Sequence, residues 1–397
     1  MSALLIDRSH DLSRLREEGY EVDVRHGHVV VTNVPYVDSS RCVRRGMLIV
    51  ALTTSGESTG PPPDHTVWWT GDMPCHCDGT PIQRMDTGQS GEQALAPDLV
   101  ANRRFSSKPL PAGSYGDYYE QFTAYIRIIS SEARELDPDA TAATFAPVAA
   151  SAEESVFVYH DSASSRAGIR MAAAKLELER VAIVGLGGTG SYVLDLVSKA
   201  PVREIHLFDG DQLLNHNAFR MPGAISLGDL DRRPLKVDRF AEVYGQLRRG
   251  VVPHPYALDG DNPHELAGMD FVFLCMDGGS DKKAVVTALE TMEIPFVDTG
   301  MGLHEEAGEI AGIVRLTLSS PGRRSHVWKR DRITFDDPDG EHNEYSRNIQ
   351  IAELNALNAC LAVIRWKKYF GFYRDLEEEF FSLYTVDGNH LLNQEIA

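Results

Sequence analysis

Residues 180–191 read RVAIVGLGGTGS, and this stretch decides the fold of the second half of the chain. Residues 181–184 are a short apolar run typical of a buried strand, and apolar residues recur at helical spacing over 192–199. A strand, a glycine-rich turn and a helix are the context of a phosphate-binding loop, because the helix N-terminus offers unpaired N–H groups. A tight βα turn without a ligand would give the same pattern. The predicted nucleotide-binding glycines are Gly185, Gly187, Gly188 and Gly190.

Length, composition and charge narrow the class of protein. The chain has 397 residues, which suggests two domains, and 43% of its residues are hydrophobic, as in ordinary globular proteins. A formal net charge of −19 argues against non-specific binding to nucleic acid. We read no membrane span and no signal peptide, and the five cysteines are a sparse, odd set that fits reduced thiols. We therefore expect a cytoplasmic protein without nucleic-acid or membrane partners.

The first part of the chain predicts a smaller α+β domain over residues 1–136. Its short helix over 11–18 precedes β-rich runs over 20–25, 28–34, 47–53 and 65–70. Residues 83–114 are polar and turn-rich, so we expect an extended loop there, followed by a helix over 117–136. Residues 137–154 are rich in Ala, Pro, Asp and Ser and predict a linker.

Residues 155–397 alternate strand and helix patterns. The candidate strands are residues 181–184, 204–208, 251–256, 271–275 and 295–298, with further strands over 310–318. This alternation predicts an α/β fold with a doubly wound, mostly parallel, Rossmann-like sheet. Residues 319–346 are polar and predict a long loop. Residues 351–364 have the spacing of an amphipathic helix, and we expect its Cys360 to lie in the core.

Polar residues follow the predicted strand ends, where an open α/β sheet places its ligand. An acid about twenty residues after the glycines normally binds a ribose hydroxyl. The polar residues after these strands include more polyphosphate-binding groups than a hydride-transfer site needs. The alternative for Arg220 and Lys236 is a surface base paired with nearby acids, and the alternative for Asp277 is an ordinary acidic turn residue. The candidate residues are Asp209, Asp211, Asn217, Arg220, Lys236 and Asp277.

Residues 166–318 resemble the adenylating domain of the ThiF, MoeB and HesA family, which includes the ubiquitin-activating enzymes. The motifs GLGGTGS, LFDGD, NHNAFR, PLK, FLCMD and VDTGMGLHEEAGEI occur in the family's order and spacing. The resemblance implies that ATP lies on the glycine loop. It also implies that the C-terminal carboxylate of a protein attacks the α-phosphate, which gives an acyl-adenylate and pyrophosphate.

The resemblance also implies roles for the candidate residues. Asp209 would hold the ribose, and Asn217, Arg220 and Lys236 would contact phosphates. Asp277 would bind Mg²⁺, a hard cation suited to carboxylate and phosphate oxygens. Cations are needed because a carboxylate that approaches a triphosphate is repelled.

Residues 159–170, YHDSASSRAGIR, resemble the family's N-terminal segment, whose arginine reaches ATP in the partner subunit. Arg166 is the best match, and Arg170 is the second choice. A plain helix-surface arginine is the alternative. If Arg166 acts in this way, the protein is a homodimer, because the arginine works in trans.

Several positions depart from the family's pattern. No cysteine lies between Cys275 and Cys360, so we expect no thioester at the usual place, and the zinc-binding CxxC pairs of some members are absent. Gly278 stands where the family commonly has Asn, and Lys282 where it commonly has Arg. Cys275 closes a predicted strand beside the nucleotide site.

The stretch MPCHCDGT contains the conspicuous thiols Cys75 and Cys77. With His76 they are candidates for a metal site, and either is a candidate for an acyl acceptor. We favour structural cysteines in a turn. The order of a helix, a β-meander and a Pro-Cys turn near Asp-Gly is similar to ubiquitin-conjugating domains.

The sequence thus predicts ATP-dependent adenylation of the C-terminal glycine of a small ubiquitin-like or sulfur-carrier protein. The unusual N-terminal domain favours a bacterial ubiquitin-like conjugation pathway that includes a conjugating enzyme. The expected cofactors are ATP and Mg²⁺. Three alternatives stay open: an NAD-dependent oxidoreductase, a nucleotide-binding scaffold without turnover, and an enzyme that adenylates an amino acid or peptide.

Overall fold

The computed structural model describes residues 2–150, 152, 155–335 and 349–394. The chain divides into two compact units. The N-terminal unit is Met1–Glu154 with Tyr159–Gly168, and the C-terminal unit is Ser155–Val158 with Ile169–Ala397. Within the described ranges, no helix combines the length and the apolar character that crossing a membrane requires.

The N-terminal unit is an antiparallel sheet with a long helix. Its sheet has the strand order β1-β2-β3-β6-β8-β7, and β4 and β5 form a separate small pair. Its strands are β1 (Glu21–Arg25), β2 (His28–Val37), β3 (Val43–Ala51), β4 (Thr54–Ser55), β5 (Ser58–Thr59), β6 (Thr66–Thr70), β7 (Asp86–Ala96) and β8 (Leu99–Ser106). Its helices are α1 (Ser2–Arg8), α2 (His10–Glu17), α3 (Tyr118–Leu136) and α4 (Ser162–Arg166).

Helix α3 forms where the sequence predicts it. Asp117 is its N-cap, because its carboxylate accepts a hydrogen bond of 2.8 Å from the backbone N–H of Glu120. The side chains of Phe122, Tyr125 and Ile129 recur at helical spacing, are fully buried and join the core of the sheet. The α+β class of the first domain is thereby confirmed.

Two expectations for this unit need comment. The extended loop expected over residues 83–114 is wrong, because this stretch contains the antiparallel pair β7 and β8. In the segment expected to be a linker, Ala140 and Ala142 are fully buried among core residues of the N-terminal unit. Ser151, Glu153 and Glu154 of that segment lie outside the described residues.

The C-terminal unit alternates strands and helices. Its strands are β9 (Arg180–Val184), β10 (Glu204–Phe208), β11 (Val251–His254), β12 (Phe271–Leu274), β13 (Phe296–Glu306), β14 (Glu309–Ser319), β15 (Phe381–Thr385) and β16 (His390–Gln394). Its helices are α5 (Arg170–Ala173), α6 (Gly188–Val197), α7 (Asn215–Ala218), α8 (Leu227–Arg232), α9 (Lys236–Tyr244), α10 (Ser280–Thr291), α11 (Ser325–Lys329) and α12 (Ala352–Tyr369).

The sheet of this unit has the strand order β11-β10-β9-β12-β13-β14-β15-β16. The neighbours from β11 to β13 pair in parallel, and β14 to β16 extend one edge in antiparallel pairs. The chain leaves β9 towards β10 and β11, then returns to β12 on the other side. The strand order therefore reverses at β9, and ligands of open α/β sheets bind outside the carboxyl ends of the strands at such a point.

Helices cover both faces of this sheet. Phe271 and Phe273 of β12 belong to the core that includes residues of α6, α9 and α12. Val272 and Leu274, which alternate with them, belong to the core that includes residues of α10. This alternation confirms the predicted doubly wound, mostly parallel sheet.

Two further expectations for the C-terminal unit are corrected. Cys360 is exposed on α12, so its expected place in the core is wrong. The loop expected over residues 319–346 includes the short helix α11, and residues 336–348 lie outside the described part.

Candidate functional site

The loop after β9 requires its glycines. Gly185 has a φ of +87°, and a Cβ built on it would lie 2.7 Å from the carbonyl oxygen of Cys275. A Cβ on Gly190 would overlap the carbonyl oxygen of Gly185. Glycine alone accepts both constraints, and it lets the chain turn directly into α6 at Gly188.

A pocket of about 330 Å³ lies at the carboxyl ends of β9, β10 and β12. Its lining contains most of the residues that the sequence singles out. In the part of the chain that the structure describes, Gly190 and Asn217 are not among the lining residues. The predicted residues in the lining are Gly185, Gly187, Gly188, Asp209, Asp211, Arg220, Lys236 and Asp277.

Asp209 connects the glycine loop to the end of β10. Its two carboxylate oxygens accept hydrogen bonds from the backbone N–H groups of Leu186 at 2.6 Å and Asp211 at 2.8 Å. The Nζ atom of Lys236 lies 2.7 Å from Asp211 and 3.3 Å from Asp209. Lys236 is 4% exposed, so its ammonium group is held at the pocket by the two carboxylates.

The segment after β10 brings one arginine to the pocket. The buried Asn217 uses its side-chain oxygen to accept a hydrogen bond of 2.8 Å from the backbone N–H of Leu214. This bond shapes the turn that precedes Arg220. The Nε atom of Arg220 is buried without a hydrogen-bond partner in the part of the chain that the structure describes. The guanidinium therefore has donor capacity at the pocket.

Asp277 contributes a carboxylate to the pocket just after β12. The described residues contain no cluster of three His, Cys, Asp or Glu side chains that would bind a metal by themselves. Mg²⁺ in phosphate-transfer sites is usually bound by one or two carboxylates together with substrate phosphates. One carboxylate beside a phosphate-binding loop fits that ion, so Asp277 is the residue that would hold it.

Lys282 does not line this pocket. It is 3% exposed, and its Nζ atom lies 2.5 Å from a carboxylate oxygen of the fully buried Asp298. It also donates a hydrogen bond of 3.2 Å to the carbonyl oxygen of Met276, which precedes Asp277. Arg315 lies 3.3 Å from the other oxygen of Asp298. Lys282 thus holds the backbone beside Asp277.

The two arginines considered for a trans contact lie in different units. Arg166 is the last residue of α4 in the N-terminal unit, and its side chain lies outside the described part of the structure. Arg170 is the first residue of α5 in the C-terminal unit. The contribution of Arg166 to a neighbouring subunit stays a prediction.

The thiols are poor nucleophiles in their surroundings. Burial raises the pKa of Cys275, which lines the pocket, to about 12. Burial also raises the pKa of Cys75, and a hydrogen bond to Glu132 raises the pKa of Cys77. The thiolate is the reactive form, so these directions favour structural cysteines over acyl acceptors.

Sequence reasoning missed several residues of the pocket. Asn355 and Asn358 of α12 are each 1% exposed and line it. The signal was present, because asparagine is a poor helix former and two of them stand one turn apart in an amphipathic helix. The other missed lining residues include Thr189, Met276, Thr299, Met301 and Gln350.

A glycine loop at the switch point of a doubly wound sheet, beside Arg, Lys and Asp side chains, defines a Rossmann-like nucleotide-binding domain. Residues 164–315 match the model of the ThiF family, so the chain carries a ThiF family domain, as its motifs predict. This match supports an adenylating type of enzyme. Residues 10–162 match a domain of unknown function, DUF6791.

The comparison with solved structures gives partial matches at low sequence identity. PaaA is 16% identical with a TM-score of 0.44, covering 57% of this chain and 67% of its own. MccB of E. coli with MccA-N7isoASN is 19% identical with a TM-score of 0.47, and covers 57% and 67%. The same enzyme with ATP is 17% identical with a TM-score of 0.45, and covers 57% and 67%. No curated protein matches this sequence.

Proposed function

We propose that this chain uses ATP to adenylate the C-terminal carboxylate of a small ubiquitin-like or sulfur-carrier protein. The observation that carries the proposal is the pocket at the strand ends. It brings Arg220, Lys236 and Asp277 to the same glycine loop that begins α6. The ThiF family match over residues 164–315 supports this type of chemistry.

The reaction joins two anions, so the site must offset their repulsion. A carboxylate oxygen of the carrier forms a bond to the α-phosphorus of ATP, and the bond from that phosphorus to pyrophosphate breaks. Arg220 offers a planar set of donors for phosphate oxygens, and Lys236 offers a point charge. Asp277 would hold Mg²⁺, which supplies further positive charge to the triphosphate when bound.

Lys236 has a second task in this proposal. Its ammonium group contacts both Asp209 and Asp211, which belong to the loop expected to bind the ribose. A lysine shared between these carboxylates and a phosphate would keep the ribose and phosphate ends of the pocket aligned. The partner is a small protein that ends in glycine, and we further propose a homodimer and a conjugating enzyme as a second partner.

An amino acid or peptide substrate is the nearest alternative, because its adenylation would use the same core. The two functions share every step at the nucleotide and differ in the carboxylate. An NAD-dependent oxidoreductase or a scaffold without turnover would use the same glycine loop. Each of these alternatives predicts a different result in the following assay.

We predict that ATP–pyrophosphate exchange requires a carrier protein and the carboxylate of Asp277. Loss of one charge-stabilising contact typically costs about 10²- to 10³-fold in rate, so we expect that loss in Asp277→Ala. The measurement is incorporation of labelled pyrophosphate into ATP, with candidate carriers supplied as full proteins and as C-terminal peptides. Asp281→Ala, an exposed acid on the neighbouring helix α10, is the matched control and should exchange normally.

Each of the other possible results contradicts a different part of this proposal. Equal exchange by wild type and Asp277→Ala removes Asp277 from the metal role. Exchange with free peptides but not with carrier proteins favours the peptide alternative. Binding of ATP without exchange favours a scaffold, and a change in NADH fluorescence without exchange favours an oxidoreductase.

A further inference from the structure

Helix α12 presents two buried carboxamides to the nucleotide pocket, and the proposed mechanism uses neither. The oxygen of Asn355 accepts a hydrogen bond of 2.9 Å from the hydroxyl of Thr189. The Nδ2 atom of Asn355 is buried, and no described residue accepts a hydrogen bond from it. Buried polar atoms are nearly always hydrogen-bonded, so an unpaired donor at a pocket points to a ligand that accepts.

The position of this donor indicates what it binds. A Cβ on Gly188 would overlap the carboxamide of Asn355, so the Nδ2 atom lies directly against the first residue of α6. The first N–H groups of a helix have no intrahelical acceptor. The donor of the Asn355 side chain and the N–H groups at the start of α6 therefore lie side by side. Together they would stabilise an oxyanion bound between them.

The neighbouring amide cannot serve the same ligand. Asn358 donates through its Nδ2 atom to the carbonyl oxygen of Gly300 at 3.2 Å, and its buried oxygen is the unpaired atom. An amide oxygen repels an oxyanion. The donor next to the glycine loop is therefore supplied by Asn355, and the hydroxyl of Thr189 fixes its orientation.

We propose that Asn355 is a nucleotide-binding residue whose Nδ2–H donates a hydrogen bond to a phosphoryl oxygen of ATP at the start of α6. This assignment rests on the proposed function, which supplies ATP as the nucleotide. It adds a neutral donor from α12 to the cations of Arg220 and Lys236. It also explains why position 188 must be glycine, since the amide and the phosphate meet there.

The test measures binding of ATP and of adenosine by calorimetry, without any carrier, to wild type, Asn355→Leu and Asn355→Asp. We expect Asn355→Leu to bind ATP about 10- to 100-fold more weakly, the loss typical of one hydrogen bond to a charged group, and to bind adenosine normally. Asn355→Asp keeps the acceptor for Thr189 but places a carboxylate by the phosphate, so it should bind ATP more weakly still. Cys360→Ser, exposed on the same helix, is the control and should bind both ligands normally.

Thermal unfolding of the free proteins separates ligand binding from misfolding. Asn355→Leu should still unfold cooperatively and only slightly earlier than wild type, because it removes a buried donor without a partner but also the acceptor of the Thr189 hydroxyl. Folded variants that bind ATP as wild type does would overturn the assignment, as would an equal loss of ATP and adenosine binding. If ATP binding is normal and only the KM for a carrier rises, the oxyanion is the substrate's carboxylate and the phosphoryl assignment is wrong.

The outcome for wild type distinguishes this inference from the proposed function. Wild type that binds ATP but shows no exchange with any carrier contradicts the proposed function, and Asn355 is still judged by binding. Wild type that does not bind ATP overturns both.

Discussion

At the scale of single residues, a buried ion pair lies next to the segment that carries Asp277. The ion pair of Lys282 with Asp298 is almost completely buried, and Lys282 also holds the carbonyl oxygen of Met276. Breaking such a pair leaves one charge buried without its partner. This is costly because that charge has been removed from water without compensation. The lysine therefore stabilises the fold and positions the residue next to Asp277.

We predict that Lys282→Met destabilises the C-terminal unit by about 3 kcal/mol, the lower end for a broken buried pair, because Arg315 still contacts Asp298. Unfolding in urea measures the change. Lys283→Met removes an exposed charge from the next position of α10 and should change stability by less than about 0.5 kcal/mol. Equal stability of the two variants would show that the Lys282 pair contributes nothing to the fold.

At the scale of elements, the edge strand β11 and its neighbour β10 carry a pair of histidines. Nδ1 of His206 lies 2.9 Å from Nε2 of His254, and the ring of His254 stacks on Phe208 with centroids 4.2 Å apart. Burial lowers the pKa of both histidines, against a hydrogen bond and charge from Glu204 that raise the pKa of His206. The ring of His254 therefore stacks on a residue that lines the pocket.

The sign of the pH dependence follows from these directions. A histidine with a lowered pKa binds fewer protons in the folded than in the unfolded chain, so folding stability falls as the pH drops below about 6.5. Other charges around His206 and His254 act both ways, since Arg180 lowers the pKa of His206 and Glu265 raises that of His254. The carboxylate of Glu379, whose pKa is lowered to about 2 by Lys368 and Arg365, stabilises the fold at neutral pH, and this contribution is lost only as the pH falls from about 4.5 towards 2.

We predict that His254→Phe, which retains an aromatic ring against Phe208, loses less stability than wild type between about pH 7.5 and 5.5. Thermal unfolding across this range measures the effect. His264→Gln removes a histidine whose side chain is 75% exposed and should follow the wild-type curve. If His254→Phe and wild type lose stability in parallel, the pair does not control the acid response.

The elements that the sequence predicted are those with one dominant physical signal. Residues 181–184 and 271–274 are continuous apolar runs, which predict strands buried on both faces, and the structure buries all of these residues. Strand β7 was missed because its residues are mostly exposed and polar, and include Gly88 and Gly91, which are typical of loops. Sequence alone does not show that β8 pairs with it and supplies its hydrogen bonds.

The same limit applies to the site. The glycines and the acids after strand ends were predicted because their place follows from chain order within a parallel sheet. Asn355 comes from a helix far along the chain, and its contact with Gly188 depends on how α12 packs against α6. Cys360 was misplaced because a helical repeat of apolar residues does not settle which side of α12 a cysteine occupies.

At the scale of the whole molecule, the pocket's cations are partly compensated within the C-terminal unit. Lys236 already contacts Asp209 and Asp211, and the chain as a whole has a formal net charge of −19. An arginine brought from another subunit is a known way to add charge at a phosphoryl group. Arg166, at the end of α4, is the candidate for that contact because residues 159–170 resemble the segment that carries such an arginine.

We predict that two inactive variants restore activity when their subunits mix. In a symmetric dimer, a heterodimer of Arg166→Ala and Asp277→Ala contains one intact site, built from Asp277 of one subunit and Arg166 of the other. Random mixing makes half of the dimers mixed with one good site each, so about a quarter of wild-type exchange should return. The same mixture with Arg170→Ala in place of Arg166→Ala tests the second choice. Native mass spectrometry must show heterodimers, and their presence without recovered exchange would mean that Arg166 acts within its own subunit or not at all.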